Sequence, residues 1–164
     1  MLDILQRLIE SLREELSQYG EMLRLLEQEQ ELVVHRLPAD LLQTVTSINS
    51  QGAEIQAARR RREEVQRQLA ASLEQPENTA LTEIIPRLPP EYQPLLEALR
   101  QENNQLLLRI HQRARQNHLL LNRSLELMQQ FINTLSPVNA PVYNETGGIL
   151  PTLLQPRSTY DAVG

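Results

Sequence analysis

Residues 1–37 carry an apolar seam with heptad spacing, and this seam restricts the possible folds more than any other feature. Its positions alternate steps of three and four residues, which places them on one face of an α-helix. They are Leu2, Leu5, Ile9, Leu12, Leu16, Tyr19, Leu23, Leu26, Gln30, Val33 and Leu37. Because only Gln30 is polar, the seam predicts a long first helix that packs against other helices, as in a coiled coil.

A corner at Pro38 separates this helix from a second one. Pro38 suits the first position of a helix, and Asp40 suits its first turn. Because the connection is so short, the second helix must run antiparallel to the first. Its apolar seam becomes polar at Arg59, Arg62 and Gln66 before it recovers. We therefore expect the middle of this hairpin to be less buried than its ends.

A proline-rich stretch, residues 75–94, connects the second helix to a third. Within it we expect Thr79 to cap a short helix that ends near Ile85. The segment from Glu91 to Leu135 then has no internal Gly or Pro after Pro94, and its seam predicts the third long helix. The apolar seam residues are Tyr92, Leu96, Leu99, Leu106, Ile110, Leu120, Met128, Phe131 and Leu135. The polar positions on the same seam are Asn103, Arg113 or Ala114, Asn117 and Ser124.

The sequence therefore predicts an all-α fold, an elongated antiparallel bundle of three long helices with a short crossover helix and a disordered C-terminal tail. The helices are expected at about 2–36, 38–74 and 91–135, within a bundle domain of residues 1–136. The flexible tail, residues 137–164, has no sustained periodicity. It contains two Tyr-x-x-x-Gly patterns, which begin at Tyr143 and at Tyr160. Such tails typically carry short recognition motifs.

Composition excludes several classes of function. The chain has no Cys, and all 16 of its basic residues are Arg, so thiolate metal sites and Lys Schiff bases are absent. A net charge of −5 disfavours binding to nucleic acid or to an anionic membrane. The run Arg59–Arg62 is followed at once by Glu63 and Glu64, which indicates a solvated helix face with Arg–Glu pairs.

The sequence also lacks the patterns of an enzyme, a metal site or a membrane protein. His111 and His118 are seven residues apart, not the three or four of a helical metal pair. No phosphate-binding Gly loop or nucleophile elbow occurs. The chain start does not resemble a signal peptide, and no apolar segment approaches the ~20 residues that span a bilayer. We therefore predict a cytoplasmic protein that is not an enzyme, has no cofactor and does not insert into membranes.

The C-terminal half of the third helix is apolar over more of its circumference than one seam requires. A wide apolar face near a helix end, with a Met and the only Phe, predicts a groove for a partner helix. The residues assigned to it are Asn117, Leu120, Leu121, Leu125, Met128, Phe131, Ile132 and Leu135. The alternative is that the N-terminal half of the first helix covers this face.

Asn103 and Asn117 on the seam of the third helix also have two interpretations. A buried Asn at such a position lowers stability but fixes the register and the partner of a helix. Alternatively, each is a satisfied polar residue without a role in partner choice.

The segment Asn117–Leu135, followed by a spacer and Tyr143-Asn-Glu-Thr-Gly147, resembles the C-terminal signature of the FlgN family of bacterial flagellar export chaperones. The first helix is similar too, with a Glu-rich polar face before the corner. That face consists of Glu27, Glu29 and Glu31. Ala114 stands where members of the family often carry a second Asn.

This resemblance implies a cytoplasmic type III export chaperone that binds the C-terminal helical ends of hook–filament junction proteins. Such a chaperone prevents premature assembly and delivers its cargo to the export apparatus. The resemblance also implies that Tyr143 and Gly147 dock to a component of the export gate. The alternative is a structural coiled-coil protein that self-associates, for example as a homodimer, through the same seams and has no chaperone role.

Overall fold

A computed structural model of the chain describes residues 1–135, apart from the side chain of Phe131. The long helices are α1 (Leu2–His35), α2 (Pro38–Ser72) and α4 (Gln93–Leu135). A short helix, α3 (Leu81–Ile84), and a 3-10 turn at Ile85–Arg87 lie between α2 and α4. The described residues contain no strand, so the predicted all-α class is confirmed. The long helices begin and end close to the predicted residues.

The compact unit of the fold spans Met1–Leu125, and a second unit begins at Glu126. Helix α4 belongs to both units and ends at Leu135. The predicted tail, with both of its Tyr-x-x-x-Gly patterns, lies outside the described residues.

Helix α1 ends where Arg36 adopts the left-handed backbone conformation, with φ 54° and ψ 51°. The N–H of Leu37 donates to the carbonyl of Leu32 (3.1 Å), which closes the last turn. Helix α2 then begins at Pro38, as predicted, with Asp40 in its first turn. The turn is tight enough to bring α2 back along α1.

Side-chain hydrogen bonds show that α1 and α2 are antiparallel. Gln51 Nε2 donates to the backbone carbonyl of Gln18 (3.0 Å), and Arg7 Nη1 donates to Gln68 Oε1 (3.1 Å). The later residue of α2 thus contacts the earlier residue of α1. The hairpin predicted from the short corner is confirmed.

Two apolar clusters hold the helices together. The first joins the N-terminal half of α1, the end of α2, the crossover and the start of α4. It consists of Leu5, Leu8, Leu12, Val65, Leu69, Ala70, Ile84, Ile85, Leu88, Leu96 and Leu99. The second joins the C-terminal half of α1 to the start of α2 and the middle of α4. It consists of Tyr19, Met22, Leu23, Leu25, Leu26, Ile48 and Ile110.

The predicted cap of the crossover helix is wrong. Helix α3 begins after Ala80 and has no side-chain cap. The Thr79 hydroxyl instead donates to the carbonyl of Pro76 (2.7 Å), three residues before it. Gln66 Nε2 donates to the Thr79 carbonyl (2.9 Å), which ties the start of the crossover to α2. Thr79 is therefore committed to the turn before α3, where it is buried.

The polar middle of the hairpin contains an ion pair between α1 and α2. Arg62 Nε donates to Glu15 Oε2 (2.9 Å), and the Tyr19 hydroxyl donates to Glu15 Oε1 (2.7 Å). Only 18% of the Arg62 side chain is exposed, so its guanidinium compensates a buried carboxylate. Arg61 lies 3.8 Å from Glu14 on the outside of the hairpin. The Arg–Glu pairs expected for the Arg run are confirmed.

We expect Leu69→Ala to lower the free energy of unfolding by about 2–5 kcal/mol, the usual effect of a cavity in a core. Leu69 is fully buried in the first cluster. Chemical denaturation followed by circular dichroism measures the change. Leu42→Ala is the matched control, because 70% of Leu42 is exposed and its truncation leaves no cavity. Equal losses in the two variants would contradict this assignment of the core.

Candidate helix-docking face

Helix α4 lies alongside α1 in a fixed, parallel register. Asn103 Nδ2 donates to the carbonyl of Leu12 (3.0 Å), and Asn117 Nδ2 donates to the carbonyl of Leu26 (2.7 Å). The two partners are 91 residues apart in both cases. Because the separation is the same at both points, the helices run in the same direction over about four turns.

Both asparagines are buried between α1 and α4. Each donates to a backbone carbonyl of the neighbouring helix, so its amide nitrogen is satisfied within the α1–α4 interface. Asn117 was predicted with the partner-binding residues. In the structure its side chain lies inside the α1–α4 interface and does not reach the surface.

Other polar positions of the two seams also face each other. Gln30 is the polar residue in the seam of α1, and it accepts a hydrogen bond from Arg113 Nη1. Arg113 Nη2 lies 3.9 Å from a carboxylate oxygen of Glu27. Ala114, the other residue considered for this seam position, packs against the second apolar cluster. Gln30, the polar residue in the apolar seam of α1, is therefore paired with Arg113 of α4.

Glu29 does not lie on a polar face with Glu27 and Glu31, and that prediction is wrong. Glu27 and Glu31 are exposed, whereas Glu29 is 0% exposed. Glu29 follows Leu26 by three residues, so helical spacing carries it to the buried side. Neither of its carboxyl oxygens has a hydrogen-bond partner. Burial raises the pKa of Glu29, and the neighbouring Asn117 amide offsets part of this effect.

The sequence contains a pattern that predicts the burial of Glu29. Glu29 follows Met22 and Leu26 at steps of four and three residues, next to the seam position Gln30. Assigning every Glu of α1 to solvent overlooked that spacing. Glu15 was missed for the same reason, and it too is buried.

The apolar face of α4 becomes exposed where α1 runs out. In the register of the two asparagine bonds, Leu125 corresponds to Val34, and α1 ends one residue later at His35. Leu125 and Val34 are already 59% and 62% exposed. Helix α4 itself continues to Leu135.

Four of the eight predicted partner-binding residues are exposed in the structure. Leu120 and Leu121 are half-buried. The exposed residues are Leu125, Met128, Ile132 and Leu135, with exposed fractions of 59%, 58%, 54% and 65%. The side chain of Phe131 lies outside the described set.

The N-terminal half of α1 does not cover this face, which was the alternative considered from the sequence. That half packs in the first cluster, against Leu96 and Leu99 at the start of α4. The parallel register therefore keeps it away from the C-terminal half of α4.

Five apolar residues of α4 follow heptad spacing in the sequence, and we call this row the docking stripe. They are Leu121, Leu125, Met128, Ile132 and Leu135, with steps of four, three, four and three residues. This spacing matches the apolar face of an amphipathic helix. Four of the ten residues between them are neutral amides, and Arg123 and Glu126 are the only charges from Asn122 to Leu135. Apolar packing, more than charge, would select a partner here.

The part of the chain that the structure describes contains neither a membrane-spanning helix nor a metal site. None of its helices combines the length and the apolar character that a bilayer crossing requires. No group of three or more His, Asp or Glu side chains among residues 1–135 is arranged to hold a metal ion.

A family model described as FlgN protein matches residues 1–150 of the chain. The match covers every described helix and extends through the Tyr143–Gly147 motif, but it ends before the second Tyr-x-x-x-Gly pattern. No curated protein and no solved structure gives a significant match.

We expect Asn103→Ala to be less stable than Asn104→Ala by about 0.5–1.5 kcal/mol, the net value of one hydrogen bond. Asn104 is exposed, so both variants gain the same helix propensity while only the first loses the bond to Leu12. Urea denaturation of the two variants side by side measures the difference. Equal stabilities would show that the amide does not hold α4 to α1.

Proposed function

The chain belongs to the FlgN family of flagellar export chaperones, and on that premise we propose that its cargo is the C-terminal helical ends of hook–filament junction proteins. It binds these helices in the cytoplasm, prevents their premature assembly and delivers them to the export apparatus. The observation that carries the proposal is the docking stripe, a heptad row of exposed apolar side chains on α4. This role is one of binding and transfer, without catalysis.

A cargo helix would dock with its apolar side on the docking stripe. Leu125, Met128 and Ile132 are more than half exposed, so each has area to lose on binding. Complete burial of one such side chain contributes about 1.5–3 kcal/mol. Micromolar affinity corresponds to about 8 kcal/mol. Burial of the stripe can therefore supply that affinity even after the ordering of side chains is subtracted.

Docking of this kind explains how a chaperone would prevent premature assembly. A helix-forming chain end associates with other subunits through its apolar side. While that side lies on the docking stripe, it cannot contact another subunit. The interface is small and one-sided, which suits a complex that must release its cargo at the export apparatus.

We assign delivery to the tail, in a role separate from cargo binding. Tyr143 and Gly147 lie within the residues that the FlgN family model matches, although they lie outside the described structure. We propose that this motif docks to a component of the export gate while α4 holds the cargo.

Self-association is the second candidate function, and the docking stripe favours it too. A heptad row of exposed leucines fits a second copy of α4 as well as it fits a cargo helix. A structural coiled-coil protein of that kind has no use for Tyr143. Light scattering and the behaviour of tail variants therefore distinguish the two functions.

We expect Met128→Asp to weaken cargo binding at least tenfold, because a charge would have to be buried in the centre of the docking stripe. Isothermal titration calorimetry with a C-terminal peptide of a junction protein measures the effect. Gln129→Asp is the matched control, since it adds the same charge at the adjacent exposed position of α4. Equal affinities for the two variants would place the cargo elsewhere.

We expect Tyr143→Ala to reduce export of the junction proteins while the affinity for cargo stays unchanged. Secretion by cells and calorimetry with the purified chain give the two readouts. Tyr160→Ala is the control, because Tyr160 opens the same Tyr-x-x-x-Gly pattern outside the family match. If Tyr143→Ala does not affect secretion and the wild-type chain forms concentration-dependent oligomers, the self-association function is favoured.

A further inference from the structure

A buried acid and a buried amide face each other between α1 and α4. Glu29 and Asn117 are both 0% exposed. Asn117 Nδ2 donates to the Leu26 carbonyl at 2.7 Å. The Asn117 Oδ1 atom and both carboxyl oxygens of Glu29 have no hydrogen-bond partner. Three buried acceptor atoms thus have no hydrogen-bond partner, although Asn117 is a neighbour of Glu29 whose amide N–H partly offsets the effect of burial.

One proton resolves this arrangement. An ionised carboxylate only accepts hydrogen bonds, and the amide oxygen of Asn also only accepts them. Two such acceptors gain nothing from each other, and each unpaired buried atom lowers stability. A neutral carboxylic acid carries an O–H that donates. With that proton, Glu29 becomes the donor that Asn117 Oδ1 lacks.

No positively charged side chain on the neighbouring helices pairs with the Glu29 carboxyl, so none compensates its charge in place of the proton. On α4, Arg113 is directed to Gln30 and Glu27. His111, Arg115 and His118 are exposed on α4, and His118 contacts Asn122.

On α2, the segment 41–53 contains no ionisable residue. Its buried polar residue is Thr44, and the acids Asp40 and Glu54 flank it. On α1 itself, the nearest charged residues are Glu27 and Glu31, which repel a carboxylate. No charge among these groups stabilises an ionised Glu29.

We propose that Glu29 is the neutral acid in the folded protein and donates its proton to Oδ1 of Asn117. Asn117 then bridges Glu29 and the Leu26 carbonyl, accepting from the first and donating to the second. The bridge holds α4 to α1 four residues before Leu121, where the docking stripe begins. Glu29 is thus a positioning residue at the α1–α4 interface, and the stability of that interface depends on pH.

The direction of the pH dependence follows from burial. Burial raises the pKa of Glu29 in the folded chain above its ordinary value of 4.5. Below the ordinary value Glu29 is neutral in both the folded and the unfolded chain, and its bridge contributes fully. As the pH rises above that value the unfolded chain loses its proton first, so stability falls until the pH passes the folded-state pKa. Above the folded-state pKa, Glu29 is ionised, so it no longer donates to Asn117 and its charge is buried.

The test is a pH titration of the full chain by NMR, which follows the side-chain carboxyl carbon of Glu29 and the side-chain amide of Asn117. We expect Glu29 to titrate above pH 4.5 and the Asn117 amide signals to shift with the same midpoint. In Glu29→Gln, which keeps a donor without an ionisable proton, the Asn117 signals should not shift over this range. Titration of Glu29 at or below its ordinary pKa, or Asn117 signals that do not follow it, would overturn the proposal.

The pH dependence of stability gives a second measurement. If Glu29 had only a structural role, the difference in urea midpoint between wild type and Glu29→Gln would not change with pH. The urea midpoints of wild type and Glu29→Gln should coincide near pH 4 and separate by pH 8, with the Gln variant higher. Glu27→Gln is the control, because it removes the same charge from an exposed position of α1. A gap between wild type and Glu29→Gln that is the same at both pH values would contradict the proposal.

Discussion

Hydrogen bonds between α1 and α4 set the position of α4 along α1. Apolar seams alone permit a helix to slip by one heptad, because each leucine finds an equivalent neighbour. Asn103 and Asn117 each donate to a carbonyl of α1, and the bond between the Arg113 and Gln30 side chains, which a slip by one heptad would break, fixes the register. This register decides where α1 ends relative to α4. It therefore decides which leucines of α4 are covered and which form the docking stripe.

Much of the fold follows from the sequence because heptad spacing and helix corners are local signals. The seam of α1 and the corner at Pro38 predict the hairpin, and the apolar excess after Asn117 predicts an exposed face. Burial of polar residues depends on the facing helix and is harder to predict. Arg62 of α2 pairs with the buried Glu15, and Asn117 of α4 is a neighbour of the buried Glu29, and those contacts are unknown until the helices are assembled. Asn117 likewise serves the α1–α4 interface although its sequence neighbours belong to the exposed face.

Exposed apolar side chains on a helix are a liability unless they have a partner, because they invite unspecific association. In this chain exposed apolar side chains occur on every long helix, among them Leu2, Leu42 and Leu108, whereas those of the docking stripe follow one another at heptad spacing. Under the proposed function, the residues of the docking stripe temporarily cover the apolar side of a cargo helix. The stable part of the bundle and the binding part are thus arranged along one helix, with the buried Glu29 and Asn117 near the transition between them.

Methyl NMR of the full chain, with and without a C-terminal peptide of a junction protein, tests residue by residue whether the cargo helix binds to the docking stripe of α4. The peptide should shift the methyl signals of Leu125, Met128 and Ile132 saturably, and those of Leu42 should stay unchanged although 70% of that residue is also exposed. Shifts at Leu42 without shifts along the docking stripe would contradict the placement of the cargo on α4. The absence of any shift at saturating peptide would contradict the proposed cargo.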